Sequence, residues 1–266
     1  MKKIALTSLL AVFTASGAMA ANVIDGNPLY MPGQNHFYSV TDLYSHTEDA
    51  NSWTLAEEFG YGITDKLAVN VRTALMEQED FDDYGWGDNG VKLTFRALDL
   101  GAWKADVFGE YAIDGGSIFY HSKAADDTFW FDKEATEYNW TAGVRGGYTT
   151  SLFTVAGRVE FTYSGDESFN WNDEGMHIWT VGLDGQFVIN EDFNLVATAE
   201  YKGLADSWAK NDGTWKGEFG VNYNIDSTKF VGAYINGSLN HHDGDKADTW
   251  GWDDGFGFGA KFGIDF

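Results

Sequence analysis

Charged side chains recur at every second position of short apolar segments, and this spacing is the main chemical resource of the chain. Arg72, Lys92, Arg96, Lys104, Arg145, Arg158, Lys202, Lys216 and Lys261 alternate with apolar or small neighbours, as do Glu58, Asp106, Glu110, Glu160, Asp184, Glu200 and Glu218. A period of two puts such groups on one face of an extended chain, with the apolar residues on the other. Acids and bases sharing a face can pair with each other or offer a polar wall to a passing solute. Catalysis asks for a nucleophile, a base and a group that orients the base. His121 is followed directly by Ser122, with no evident orienting acid, so no enzyme is expected. Asp80-x-Asp82-x-Tyr84-Gly85 and Asp243-x-Asp245 carry the first ligands of a calcium loop but lack a glutamate at the twelfth position. His241 and His242 would point opposite ways on an extended chain. Neither a metal site nor a cofactor is expected.

The elements that must position these ions are strands. Alternation predicts about twelve of them: 35–45, Trp53 to Ile63, Leu67 to Leu75, Val91 to Ala97, Trp103 to Ile113, Tyr138 to Tyr148, Phe153 to Tyr163, Trp179 to Phe187, Phe193 to Tyr201, Trp215 to Ile225, Val231 to Leu239 and Phe256 to Phe266. The two prolines, Pro28 and Pro32, precede them all, so none interrupts a ladder. Connections alternate between tight turns (Thr64-Asp65-Lys66, Leu98–Gly101, Thr149-Thr150-Ser151, Ile189–Asp192, Asp226-Ser227-Thr228) and longer loops at 46–51, 76–89, 114–136, 164–175, 203–213 and 240–254. Aromatic residues cluster next to both kinds of connection, where an indole or phenol can keep its ring in hydrocarbon and its polar atom wet. Glu57 breaks the pattern by falling on the apolar face between Leu55 and Phe59. The expectation there is a β-bulge near Glu57–Glu58 or a position close to the outer rim.

Met1-Lys2-Lys3, the apolar run Ile4 to Phe13 and Ala18-Met19-Ala20 read as a secretory leader over 1–20. The absence of cysteine fits an exported chain. Nothing after residue 20 approaches the ~18 consecutive apolar residues of a spanning helix. The last strand has Phe256, Phe258, Ala260, Phe262, Ile264 and Phe266 on one face, with glycines, Lys261 and Asp265 on the other. This resembles the C-terminal strand of the Gram-negative outer-membrane β-barrel (porin-like) superfamily. The resemblance implies an all-β, transmembrane, antiparallel up-and-down barrel over 35–266 in the outer membrane. It also implies a periplasmic N-terminal segment at 21–34 and a terminal Phe266 read by the barrel-assembly machinery. Gly60 to Val69, then Gly87-Asp88 and Val91 to Arg96, is similar to transporter barrels linked to aromatic-compound degradation. That likeness implies uptake of small hydrophobic or weakly polar compounds.

The formal net charge of −24 is misleading, because the acids crowd into loops: Glu77 to Asp88, Asp166 to Glu174 and Asp243 to Asp254. An acidic outer mouth above a nearly balanced lumen should gather cations and repel anions and nucleic acid. Inward small residues such as Gly60, Gly143, Gly182 and Gly259 suggest open room. The expected function is a passive channel for small solutes lined by Arg72, Lys92, Arg96, Lys104, Glu110, Arg145, Arg158, Glu160, Asp184, Glu200, Lys216 and Glu218. The alternative is a closed barrel presenting acidic loops to ions, lipopolysaccharide or a partner. Some barrels of this size are phospholipases that use a serine two residues after a histidine, and no histidine here has one. Expected partners are outer-membrane lipid and lipopolysaccharide, the assembly machinery and small solutes.

Overall fold

A computed structural model describes residues 26–47, 53–79, 83–87, 89–114, 137–166, 176–204, 213–242, 249–252 and 256–266. The expected leader, the expected loop 114–136 beyond Asp114 with His121–Ser122, Asp80, Asp82 and the acidic run 243–248 lie outside them. The described chain forms β1 (Phe37–His46), β2 (Trp53–Thr64), β3 (Leu67–Glu79), β4 (Asp83–Trp86), β5 (Asn89–Leu100), β6 (Trp103–Asp114) and β7 (Glu137–Thr149). It continues with β8 (Phe153–Asp166), β9 (Met176–Val188), β10 (Phe193–Leu204), β11 (Gly213–Asn224), β12 (Lys229–His242), β13 (Thr249–Trp252) and β14 (Gly257–Asp265). Consecutive barrel strands pair antiparallel, and β1 closes on β14 from Tyr38↔Asp265 to His46↔Gly257. The result is a closed twelve-stranded up-and-down barrel. β4 and β13 stand outside that count. Each pairs back onto the outer end of a long barrel strand, β3 or β12, where loops were expected.

Polarity is inverted relative to a water-soluble barrel. Leu93, Leu183 and Val181 are 51%, 57% and 53% exposed on the outer wall, while Asp106, Arg96 and Thr154 are buried on the inner one. Such a continuous apolar exterior is stable only against hydrocarbon. Aromatic pairs mark the two rims. Trp103–Tyr148 and Phe193–Tyr223 pack as tilted rings with centroids 4.9 and 5.1 Å apart at the end carrying the tight turns. Tyr111–Trp140 and Tyr201–Trp215, at 4.4 and 5.1 Å, do so at the end carrying the long loops. The C-terminal Phe266 stacks on Phe37 at 4.3 Å, and its amide donates to the Phe37 carbonyl.

Register shifts occur at Gly62/Thr64, Glu77/Glu79 and Arg96/Leu98. The bulge expected at Glu57–Glu58 is absent. Glu57 lies in unbroken register between Thr41 and Thr73, midway between the rim residues Trp53 and Tyr61, so it is not at the rim either. The outer wall answers the carboxylate locally: the hydroxyls of Ser39 and Thr41 both donate to it, Thr41 at 2.6 Å. Hydrogen bonds from the neighbouring strand replace part of the solvation that hydrocarbon withholds.

Candidate functional site

The stretch expected as a periplasmic segment lies in the turn end of the barrel. Asn27-Pro28-Leu29-Tyr30 makes a β-turn, closed by Tyr30 N donating to the Asn27 carbonyl at 2.9 Å. Proline presets the second turn position, and the Asn27 side chain accepts from the Leu29 amide at 3.0 Å. From that turn the chain runs to Gly33 and swings into β1 through Asn35, whose φ is 62°. Residues 26–35 therefore form a strap across the lumen, which touches three walls.

On the β1–β14 wall the Tyr30 hydroxyl donates to Asp265 at 3.1 Å, and the Tyr30 ring meets Tyr38 edge-on. On the β5–β7 wall Arg96 Nη2 donates to the Leu29 carbonyl at 2.7 Å, and Arg145 Nη2 to the Tyr30 carbonyl at 3.1 Å. Both guanidinium groups also hold Asp106, Arg96 at 2.5 Å and Arg145 at 2.7 Å. On the β9–β11 wall Gly26, at φ +95°, lies so close that a β-carbon would come 2.3 Å from Val196 Cγ1. Leu29 is 1% exposed at the centre of this clasp.

The rest of the inner wall is an ion network. Arg158 pairs with Glu160 at 3.2 Å and with Asp184 and Glu200, and Lys202 joins Glu200 at 3.4 Å. Glu110 lies 3.7 Å from Arg72 and 4.0 Å from Lys92, whose ammonium also sits over the Phe108 ring. Lys261 reaches Glu218 at 3.4 Å and lies over the Tyr234 ring, while the Tyr234 hydroxyl donates to Asp42. The Tyr38 hydroxyl donates to Glu58 at 2.5 Å, and Asn70 donates to both. Lys104 stands opposite Asp99 at the turn end, and Lys216 is an exposed inward residue towards the loop end. Charge-assisted bonds of this kind hold side chains in fixed positions, because a lost partner leaves an uncompensated ion.

Two cavities among the described residues lie against the strap. One of about 350 Å³ is lined by Gly26, Asn27 and Pro28 of the strap together with Lys92, Arg145, Arg158, Glu160, Asp184, Glu218 and Lys261. The other, about 220 Å³, lies along Asn27, Tyr30, Met31 and Pro32 against Tyr38, Glu58, Asn70 and Lys92. The strap lines both.

The twelve residues expected to line the lumen lie on the inward-facing side of their strands. Asp42 and Asp265 face inward as well, Asp42 accepting from the Tyr234 hydroxyl and Asp265 from that of Tyr30. The inward aromatics Tyr38, Phe108 and Tyr234 were missed because aromatic residues were assigned to the outer rims. One expectation is overturned: the inward glycines do not leave open room. A β-carbon on Gly60 would fall 2.1 Å from the Tyr38 ring, one on Gly143 2.4 Å from Phe108, and one on Gly259 2.5 Å from Tyr234. These glycines are seats for large neighbours. Among the described residues no group of three or more His, Asp or Glu could hold a metal ion.

No family model matches the chain, and no curated protein does. Solved barrels do match in fold. The KdgM porin in complex with disordered oligogalacturonate superposes with a TM-score of 0.55 at 9% identity, covering 86% of this chain and 99% of that one. The NanC porin, from a rhombohedral crystal form, gives 0.55 at 8% identity, over 86% and 98%. At such identities the likeness concerns architecture alone: this chain shares the closed antiparallel β-barrel fold of these porins.

Proposed function

We propose that the barrel resides in the outer membrane and conducts small polar solutes passively along its ion-paired lumen. The observation that carries this reading is the cavity of about 350 Å³ walled by Lys92, Arg145, Arg158, Glu160, Asp184 and Lys261 inside an apolar outer shell. Fixed opposite charges lower the cost of dehydrating a polar solute without binding it tightly, which is what passage requires. The porin-like architecture supports the same reading.

Solute preference follows from charge. KdgM was solved with an oligogalacturonate, a polyanion. Here Arg72, Arg96, Arg145 and Arg158 each have an acid beside them, and the outer loops are acidic, so cations and neutral polar molecules are favoured over polyanions. Phe266, docked on Phe37, is the element the assembly machinery would read, and lipopolysaccharide would surround the loop end. Purified mature protein in planar bilayers tests the function. Stable unitary currents are expected, with reversal potentials on the cation side. Folded protein that never conducts would refute the channel and leave the closed barrel.

A further inference from the structure

We propose that the strap, residues 26–35, is the gate of this barrel: solute crosses only when it swings away from the β5–β7 wall. The inference rests on the channel reading above and adds the part that opens. Three observations carry it. First, the strap lines both cavities and crosses between opposite walls, so the solute path at the turn end runs through the space it fills. Second, its attachments are separable from the barrel ladder. Arg96, Arg145 and the Tyr30 hydroxyl hold residues 29–30 through side-chain hydrogen bonds, whereas the base is anchored by the bridge Gln34↔Gly62, by Gln34 N donating to Asp65 at 3.2 Å and by the Tyr61 hydroxyl donating to Asn35 at 3.0 Å.

Third, the clasp survives release. Arg96 and Arg145 each keep Asp106 when the strap carbonyls leave, so neither guanidinium loses its counter-ion, while Asp265 exchanges the Tyr30 hydroxyl for water. Water or solute can take over the donor sites that the carbonyls of Leu29 and Tyr30 vacate. The pivot lies at Gly33–Asn35, where the chain already turns sharply: His36 N donates to the Gly33 carbonyl at 3.1 Å, and Asn35 is left-handed. Swinging about this pivot leaves β1 and its register untouched.

Gly62 supplies a release variant. A β-carbon there would lie 1.9 Å from the Gly33 carbonyl oxygen, so Gly62→Val pushes the strap off its base without altering an ion. Locking uses the opposite end: a β-carbon on Gly26 would lie 2.3 Å from Val196 Cγ1, one bond from the Val196 β-carbon, so Gly26→Cys with Val196→Cys falls within the ~4.5 Å reach of a disulfide. The chain has no cysteine of its own to compete. Conductance of mature wild type, Gly62→Val and the double cysteine protein, oxidised and then reduced, is read in planar bilayers.

A several-fold rise in time-averaged conductance is expected for Gly62→Val. Loss of current in the oxidised lock, regained on reduction, is expected alongside it. The lock compares one folded polypeptide with itself, so it decides even where Gly62→Val fails to fold. Wild type that conducts while the oxidised and reduced lock conduct alike would overturn the gate and leave the channel standing. Failure of the disulfide to form in the folded barrel would also overturn it, since the strap would then lie elsewhere. Silence of every form refutes the channel, and the gate with it. Silent wild type with a conducting Gly62→Val supports the gate.

Discussion

Asp106 is the residue on which most depends, because one buried carboxylate serves two guanidinium groups that in turn hold the strap. Removing it takes the carboxylate from Arg145 and leaves Arg96 with only the more exposed Asp99, 3.9 Å away. Asp106→Ala is expected to destabilise the barrel by ~3–5 kcal/mol, and urea unfolding in lipid vesicles measures it. Glu57 makes the opposite case. It accepts from Ser39 and Thr41 on a wall that faces hydrocarbon, and these bonds recover only part of its lost hydration. Glu57→Leu should therefore raise stability by about 1 kcal/mol in the same assay; a fall would mean that the wall meets something more polar than lipid. Asp226 lies in a tight turn outside the spanning strands. The hydroxyl and amide of Thr228, with Lys229, hold its carboxyl down to about 2 from 3.8. A depressed carboxyl stabilises the turn above its unfolded value near 3.8, and that contribution disappears as pH falls through about 2. An NMR titration of the turn amides should show the midpoint there rather than near 4.

Individual strands were nearly complete in the sequence, since pleating fixes which side chains share a face whatever lies beyond them. What alternation leaves out is thickness. Gly60 and Gly143 read as empty positions until the neighbouring strand brings Tyr38 and Phe108 over them. Gly60→Val on β2 is accordingly expected to displace Tyr38 from its bonds with Glu58 and Asn70, at a cost of ~1–3 kcal/mol in unfolding experiments. Little or no cost would mean that the ring has another place to go. The bulge at Arg96/Leu98 was also illegible, because a one-residue shift depends on how the partner strand is spliced to its turn. It turns Leu98 and Leu100 outward and leaves Asp99 inward, 3.9 Å from Arg96.

At the scale of the molecule, the balance of the lumen sets what the barrel admits. Arg158 faces Glu160, Asp184 and Glu200 together, so Arg158→Ala removes a counter-ion shared by three acids and leaves only Glu200 with a second cation, Lys202. Cation selectivity should increase, seen as a larger reversal potential across a salt gradient; an unchanged potential would place the conduction path away from β8–β10. By itself the sequence determined that the chain closes into an outward-apolar barrel and which ions point inward. Both follow from a two-residue period that the pleat of a strand imposes locally. Only the tertiary structure decided which inward groups meet and where residues 26–35 go. Arg145 and Tyr30 lie 115 positions apart, and their bond exists because closure and stagger bring β7 to the strap. An irregular segment with two prolines has no period to read. Its place is chosen by the donors left at the end of the lumen, and these are assembled only when the last strand pairs with the first.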